Sequence, residues 1–330
     1  MKNVVVIGGG TGTFTVLSAL RDFPYHLTAL LTMVDDGGSN RVLRDEFGLL
    51  PTSGVRLAIV ALSAKQSILR ELFTYRYHKG TGISGMTFGN LFLAALSDIT
   101  GSQEKAIEQT CELLSVKGNI LPISYGDVRL IAKYEDGTEV EGEHYIDEPE
   151  HDGKLKITHL YTKPNARISP KAKDAIRSAD AIILGPGDFY TNTIANLVID
   201  GVPEAIQKSS AQVIFVTNLM TKYGEAYNYT ASDYLKDFEQ YMPVERINTI
   251  LVNSDTEFPK SALDKYKEEH SIPVIDDLDS YSLSPTTRIV RVPILSREEV
   301  KPQKGDVLRR SMIRHDPQKL AAALVDIIEK

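Results

Sequence analysis

Residues 4–13, Val-Val-Val-Ile-Gly-Gly-Gly-Thr-Gly-Thr, restrict this chain more than any other stretch. A β-branched apolar run that stops abruptly at glycines reads as a buried parallel strand, a tight turn and a helix start. Glycines at such a turn let backbone N–H groups come close to a ligand, and the positive end of the following helix suits a phosphate. Gly9, Gly10, Thr11, Gly12 and Thr13 are therefore candidate ligand contacts. The spacing is not the dinucleotide fingerprint G-x-G-x-x-G, whose last glycine would fall at Thr13. It is not a Walker A loop either, since no Lys-Ser/Thr pair follows. A plain strand–turn–helix with tolerant glycines is the structural alternative.

The same logic recurs along the chain. Leu27–Met33 is a second apolar run, followed by Asp35-Asp36-Gly37-Gly38-Ser39-Asn40-Arg41. In an open α/β sheet the carboxyl ends of the strands are where ligands bind. Two acids and an arginine at that edge suit a phosphorylated ligand, with Asp35 and Asp36 placed to meet a ribose or Mg²⁺. Ala181–Leu184 leads into Gly185-Pro186-Gly187-Asp188-Phe189-Tyr190-Thr191, and Val213–Val216 leads into Thr217 and Asn218. Gly185, Gly187, Asp188, Tyr190, Thr191 and Asn218 join the candidates, as do Gly37, Gly38 and Ser39. Arg56 sits in an otherwise apolar helical run, 55–63, and must pair with Asp45 or Glu46, or with a phosphate. Asn90 falls at an apolar helix start where Thr87 can serve as cap; it is a core amide or a ligand contact. Strands and helices alternate with short connections, which predicts a doubly wound, mainly parallel, Rossmann-like α/β sheet.

Residues 118–162 change character. Short β runs surround the hairpin signal Asp136-Gly137, and an acid-rich stretch, 141–152, reads as a solvated loop. This predicts a small β-rich insertion, 118–162, on an α/β body made of 1–117 and 163–330. His144, His151 and His159 lack metal-ligand spacing and read as surface residues. The net charge of −7 argues against a nucleic-acid binder. The one cysteine, Cys111, lies in an apolar helical pattern and reads as a structural thiol. No apolar run reaches the length of a membrane span, and the chain enters its first strand after Met1-Lys2-Asn3 without a signal-peptide pattern, so a cytoplasmic protein is expected.

Taken in order, Gly8-Gly9-Gly10-Thr11-Gly12, Asp35-Asp36-Gly37-Gly38-Ser39, Phe88-Gly89-Asn90, Gly185–Thr191, Asn218-Leu219-Met220-Thr221, Tyr229-Thr230-Ala231-Ser232-Asp233 and Ile313-Arg314-His315-Asp316 resemble the YvcK-type gluconeogenesis factor family. That family is similar in fold to the 2-phospho-L-lactate transferases. The resemblance spans nearly the whole chain. It implies a bacterial UDP-sugar-binding protein, typically for UDP-N-acetylglucosamine, needed for cell shape and wall synthesis during gluconeogenic growth. Its partners in wall synthesis stay open, and it leaves room for a homo-oligomer. It also implies that Tyr266 and Arg314 meet the sugar nucleotide. A tyrosine can stack on uracil and an arginine can grip a diphosphate through two hydrogen bonds. The chain departs from the family pattern at two places. Thr52-Ser53-Gly54-Val55-Arg56-Leu57 replaces Pro-Gly-Asp-Ile-Arg-Asn, and Met86-Thr87-Phe88-Gly89-Asn90 replaces His-Ser-x-Gly-Asn. Loss of an acid, an amide and a histidine favours a non-catalytic regulator over acid–base chemistry. The alternative is a Mg²⁺-dependent phosphotransferase resembling the phospholactate transferases.

Overall fold

A computed structural model describes residues 1–63, 68–297 and 312–330. The chain opens with β1 (Lys2–Gly8), α1 (Gly10–Leu20), β2 (Tyr25–Leu31), α2 (Gly38–Phe47), α3 (Ser53–Leu62), α4 (Ile68–Thr74), α5 (Phe88–Thr100) and α6 (Gln103–Leu113). Then come β3 (Asn119–Pro122), β4 (Arg129–Tyr134), β5 (Glu139–Glu141), α7 (Glu143–Asp147), β6 (Ile157–Lys163), α8 (Pro170–Arg177) and β7 (Ala181–Leu184). A π-helical turn, Phe189–Ile194, runs into α9 (Ala195–Leu197), followed by α10 (Val202–Lys208), β8 (Gln212–Val216), α11 (Ala231–Phe238) and β9 (Thr249–Asn253). The last elements are α12 (Lys260–Glu268), β10 (Arg288–Val292) and α13 (Pro317–Glu329).

The seven-stranded sheet has the order β10-β9-β8-β7-β1-β2-β3, and every pairing in it is parallel. This is the doubly wound arrangement expected from the alternating pattern. Its two faces are read by alternate residues, as strand geometry requires. Val5, Ile7, Ile182, Leu184, Val213 and Phe215 enter one core, with α8, α10 and α11. Val4, Val6, Ala181, Ile183, Ile214 and Val216 enter the other, with α1, α3 and α13. Burying each of the larger side chains contributes about 1.5–3 kcal/mol. Asp316 caps α13 by accepting from the Gln318 and Lys319 amides, and Pro317 occupies its first turn.

A second sheet, β5-β4-β6, is antiparallel and has three strands. Its turn is the Asp136-Gly137 hairpin, where the Thr138 amide donates to Asp136 Oδ1 at 2.9 Å. Two expectations change here. Asn119–Pro122 belongs to the main sheet, paired with β2, rather than to the insertion. The acid-rich stretch is a solvated loop only in part: Glu143–Asp147 folds into α7, whose Ile146 is 0% exposed and joins the same core as β4 and β6, while Glu148, Glu150 and Asp152 stay exposed. Burying that isoleucine contributes about 1.5–3 kcal/mol toward holding a charged helix on the body. Among the described residues, no helix is long and apolar enough to cross a membrane.

Candidate functional site

The strand order reverses between β1 and β7, which makes their carboxyl ends the switch point of the sheet. The first and third glycine turns meet there. A Cβ at Gly12 would lie 2.0 Å from the Pro186 carbonyl oxygen, so only glycine permits this packing. The Cβ position of Gly187 lies 3.6 Å from the Gly9 carbonyl, and that of Gly10 lies 3.5 Å from the Asn192 side chain. Gly185 and Gly10 both adopt positive φ. Thr11 is exposed at the head of α1, whereas Thr13 is buried under Gly8. Asn218, just past the end of β8, donates to the Gly187 carbonyl at 2.9 Å and joins this strand end to the third glycine turn.

The π-helical turn after Gly187 is fastened from behind. Glu225, whose side chain is 0% exposed, accepts the amides of Tyr190 and Thr191 and the Thr191 hydroxyl, the last at 2.8 Å. Two sequence candidates are therefore structural. Thr191 is committed to Glu225. The Tyr190 ring is fully buried and its hydroxyl donates to Asp237 at 2.6 Å, on the core side of the sheet. Only a strand–turn–helix with open amides was expected here; a buried carboxylate has taken two of those amides.

The same Glu225 belongs to a cluster the sequence reading missed. Lys222 pairs with Asp147 of α7, with Asp188 at 3.2 Å and with Glu225 at 3.5 Å. Burial would lower the Lys222 pKa, but Asp188, Asp147 and Glu225 hold it well above the ordinary value. Burial pushes the Glu225 carboxyl up to about 8 against the pull of Lys222. Glu143 is raised well above its ordinary value by burial and by its neighbours Asp35 and Asp147. Lys222 follows the quoted Asn218–Thr221 motif directly, which is the one signal that could have drawn attention to it.

The second turn has a different job from the one expected. Asp36 accepts the His144 amide at 2.9 Å and pairs with Arg129 of β4 at 3.3 Å. Asp35 accepts the Gly37 amide at 3.0 Å, and burial raises its pKa. Asp36 thus ties the insertion to the body, and His144 sits inside this joint rather than on open surface, while the hydrogen bond of Asp35 stays within its own turn. Among the described residues, the carboxylates whose oxygens lie within 4.8 Å of one another are those of Asp147, Asp188 and Glu225. The Lys222 ammonium already contacts all three, so this donor set fits Mg²⁺ only if the lysine leaves.

Beyond Gly37, the heads of three helices converge. Asn90, 1% exposed, donates to Ser39 Oγ of α2 at 3.1 Å and to Ser53 Oγ of α3 at 3.3 Å. Its oxygen accepts from Arg56 Nε at 3.1 Å. Arg56 donates to Asn90 and to the Phe73 carbonyl, and among the described residues Asp45 and Glu46 form no ion pair with it. Gly89 allows it: a Cβ there would meet Arg56 Cδ at 2.8 Å.

Tyr266 packs against the residues that follow Asn218, and Arg314 follows Ile313 of the same cluster. Leu219 and Met220 form a small core with Ala262, Leu295 and Ile313, against which Tyr266 packs. The Tyr266 hydroxyl accepts the Ile313 amide at 3.5 Å, which places Arg314 one residue from that contact. His315 follows, buried beside Thr217, and burial brings its pKa down to about 4.

The CofD family model, described as 2-phospho-L-lactate transferase, matches residues 4–295. The gluconeogenesis factor of Bacillus subtilis is 36% identical, with 99% of this chain and 97% of that one covered. The chain belongs to the gluconeogenesis factor family. Another such factor, from Halalkalibacterium halodurans, is 36% identical over 98% of this chain and 96% of its own. A crystal structure of a UPF0052-family protein from Bacillus halodurans superposes with a TM-score of 0.88 at 34% identity, covering 98% of this chain and 100% of that one. The α/β fold with its small antiparallel sheet is therefore a family property, and the gluconeogenesis factor resemblance drawn from the short motifs holds across the chain.

Proposed function

We propose that this member of the family is a cytoplasmic UDP-sugar-binding regulator, with UDP-N-acetylglucosamine as its ligand, acting on cell shape and wall synthesis under gluconeogenic growth. The observation that carries this reading is the contact of the first and third glycine turns at the switch point of the sheet. The Gly9–Gly12 turn at the head of α1 touches the Gly185–Gly187 turn there, a setting suited to a diphosphate. Asn218 leads from that contact toward Tyr266 and Arg314, which would take the uridine end. The sugar-nucleotide identity comes from the family resemblance.

A regulator fits the side chains better than an enzyme does. Asp36, Glu225 and Thr191 are spent on structural contacts, and Lys222 neutralises the converging carboxylates. The transferase reading draws on the CofD family match and on the triad Asp147, Asp188 and Glu225, which would hold Mg²⁺ between phosphates if Lys222 swung away. Titration calorimetry with a panel of UDP-sugars and NAD separates these readings. Binding of UDP-N-acetylglucosamine at about micromolar Kd is expected, without release of UDP or UMP. Arg314→Ala is expected to weaken that binding about tenfold with an unchanged Tm. Binding of NAD alone, or steady release of UDP, would overturn the regulator.

A further inference from the structure

We propose that α4 and the hairpin that follows it are a docking surface for a bilayer that carries anionic phospholipid. A surface helix normally has one apolar stripe, and α4 has two. Leu69 and Phe73 form the inner stripe and pack into the core that holds α1, α3 and α13. The outer stripe is Ile68, Leu72 and, just past the end of the helix, Tyr75. Spacings of four and then three residues set all three on one helical face. That face is open to water, with Ile68 69% and Tyr75 51% exposed. Single exposed apolar residues need no explanation, whereas a stripe of them marks a surface that meets an apolar partner.

The chain then turns into a hairpin. The Gly85 amide donates to the Tyr77 carbonyl at 2.8 Å, and the Tyr77 and Phe88 amides donate to the Met86 and Tyr75 carbonyls, both at 2.9 Å. Every residue from His78 to Gly85 is exposed, and Ile83 is the one large apolar side chain among them. At the base, the Tyr75 and Tyr77 rings meet edge to face with centroids 5.2 Å apart. Rings with an apolar body and a polar tip suit the boundary between lipid headgroups and acyl chains.

Charge selects the occupant. The chain carries −7, yet between Ile68 and Thr87 three basic residues, Arg70, Arg76 and Lys79, outnumber one acid, Glu71. Among the described residues neither Arg76 nor Lys79 forms an ion pair. A two-fold pairing of this face would set those cations against their own copies. An anionic leaflet supplies both the opposite charge and the apolar depth, and docking in the interface needs no spanning helix. The surface stands apart from the nucleotide-sugar reading.

The test is co-sedimentation of the full chain with vesicles of phosphatidylcholine, alone or mixed with phosphatidylglycerol. Binding to the mixed vesicles is expected to exceed binding to the neutral ones at least about tenfold and to fall as salt is raised. Ile68→Glu and Lys79→Glu, both at exposed positions, are each expected to weaken it at least about fivefold with an unchanged Tm. Ile99→Glu, exposed near the other end of α5, is expected to bind as the wild type does. The chain has no tryptophan, so Ile83→Trp supplies a single reporter whose emission is expected to shift to the blue with the mixed vesicles. Equal binding to both vesicles, wild-type binding by both charge variants, an unshifted Ile83→Trp emission, or no sedimentation at all overturns the proposal. So does self-association that Ile68→Glu abolishes, which would give the stripe to a second copy of the chain.

Discussion

The two flanks of the cleft use opposite chemistry. Under the insertion, Asp147, Asp188 and Glu225 crowd around one ammonium, that of Lys222. Across β1, at the heads of α2, α3 and α5, donors gather around Asn90 and no helix brings an acid in its first turn. The first flank is closed on itself: each carboxylate has a partner, and the contacts run between elements far apart in sequence. The second is uncharged apart from Arg56, and its side chains bond one another: Asn90 donates to Ser39 and Ser53 and accepts from Arg56. Removing one member of a buried charge cluster leaves charges unpaired, whereas removing one member of an amide and hydroxyl network leaves only neutral groups and one arginine to find new partners.

The largest effect should come from breaking the closed flank. Lys222→Met leaves three carboxylates together without a counter-charge and is expected to destabilise the chain by about 3–5 kcal/mol in urea unfolding. A loss below about 1 kcal/mol would mean that the carboxylates find protons or another cation, and the flank would not be the fastening described. Next comes the flank around Asn90. Asn90→Ala removes the bonds to Arg56, Ser39 and Ser53 and is expected to cost about 1–3 kcal/mol by the same measurement. Equal losses in the two variants would erase the distinction between the flanks.

The smallest effect concerns pH. The folded Glu225 carboxyl is held up to about 8, whereas in the unfolded chain it titrates near a glutamate's ordinary value of about 4.3. Between those values the folded chain keeps a proton that the unfolded chain releases, so this group's contribution to stability falls as pH rises through that window. Glu225→Gln keeps an acceptor for the Tyr190 and Thr191 amides and removes the titration. Its stability is expected to depend less on pH between about 5 and 8 than that of the wild type. Parallel profiles for the two would place the titration elsewhere in the cluster.

How much of this was legible in the sequence follows from the range of the interactions. The β1 and β7 strands announced themselves because four apolar residues followed by glycine leave few alternatives. The Thr87, Asp316 and Asp136-Gly137 signals are local, and each formed the cap or turn expected of it. Asn119–Pro122 looks the same in either sheet; only its pairing with β2, ninety-one positions back, decides. The acid-rich run was misread for a similar reason. A charge run normally faces water, and nothing local shows that Asp147 meets Lys222 or that the His144 amide meets Asp36. Tyr190 sits in a motif that looks ligand-facing, yet its hydroxyl is claimed by Asp237 of α11. An arginine in an apolar helix needs partners; that Arg56 finds a neutral amide on another helix is a fact of packing.

The direct test of the account is a crystal structure of the chain with UDP-N-acetylglucosamine at saturating concentration. The account places the diphosphate between the head of α1 and Gly187, at the carboxyl ends of β1 and β7, with the uridine toward Tyr266 and Arg314. A diphosphate resting elsewhere, or no bound nucleotide at all, would contradict it.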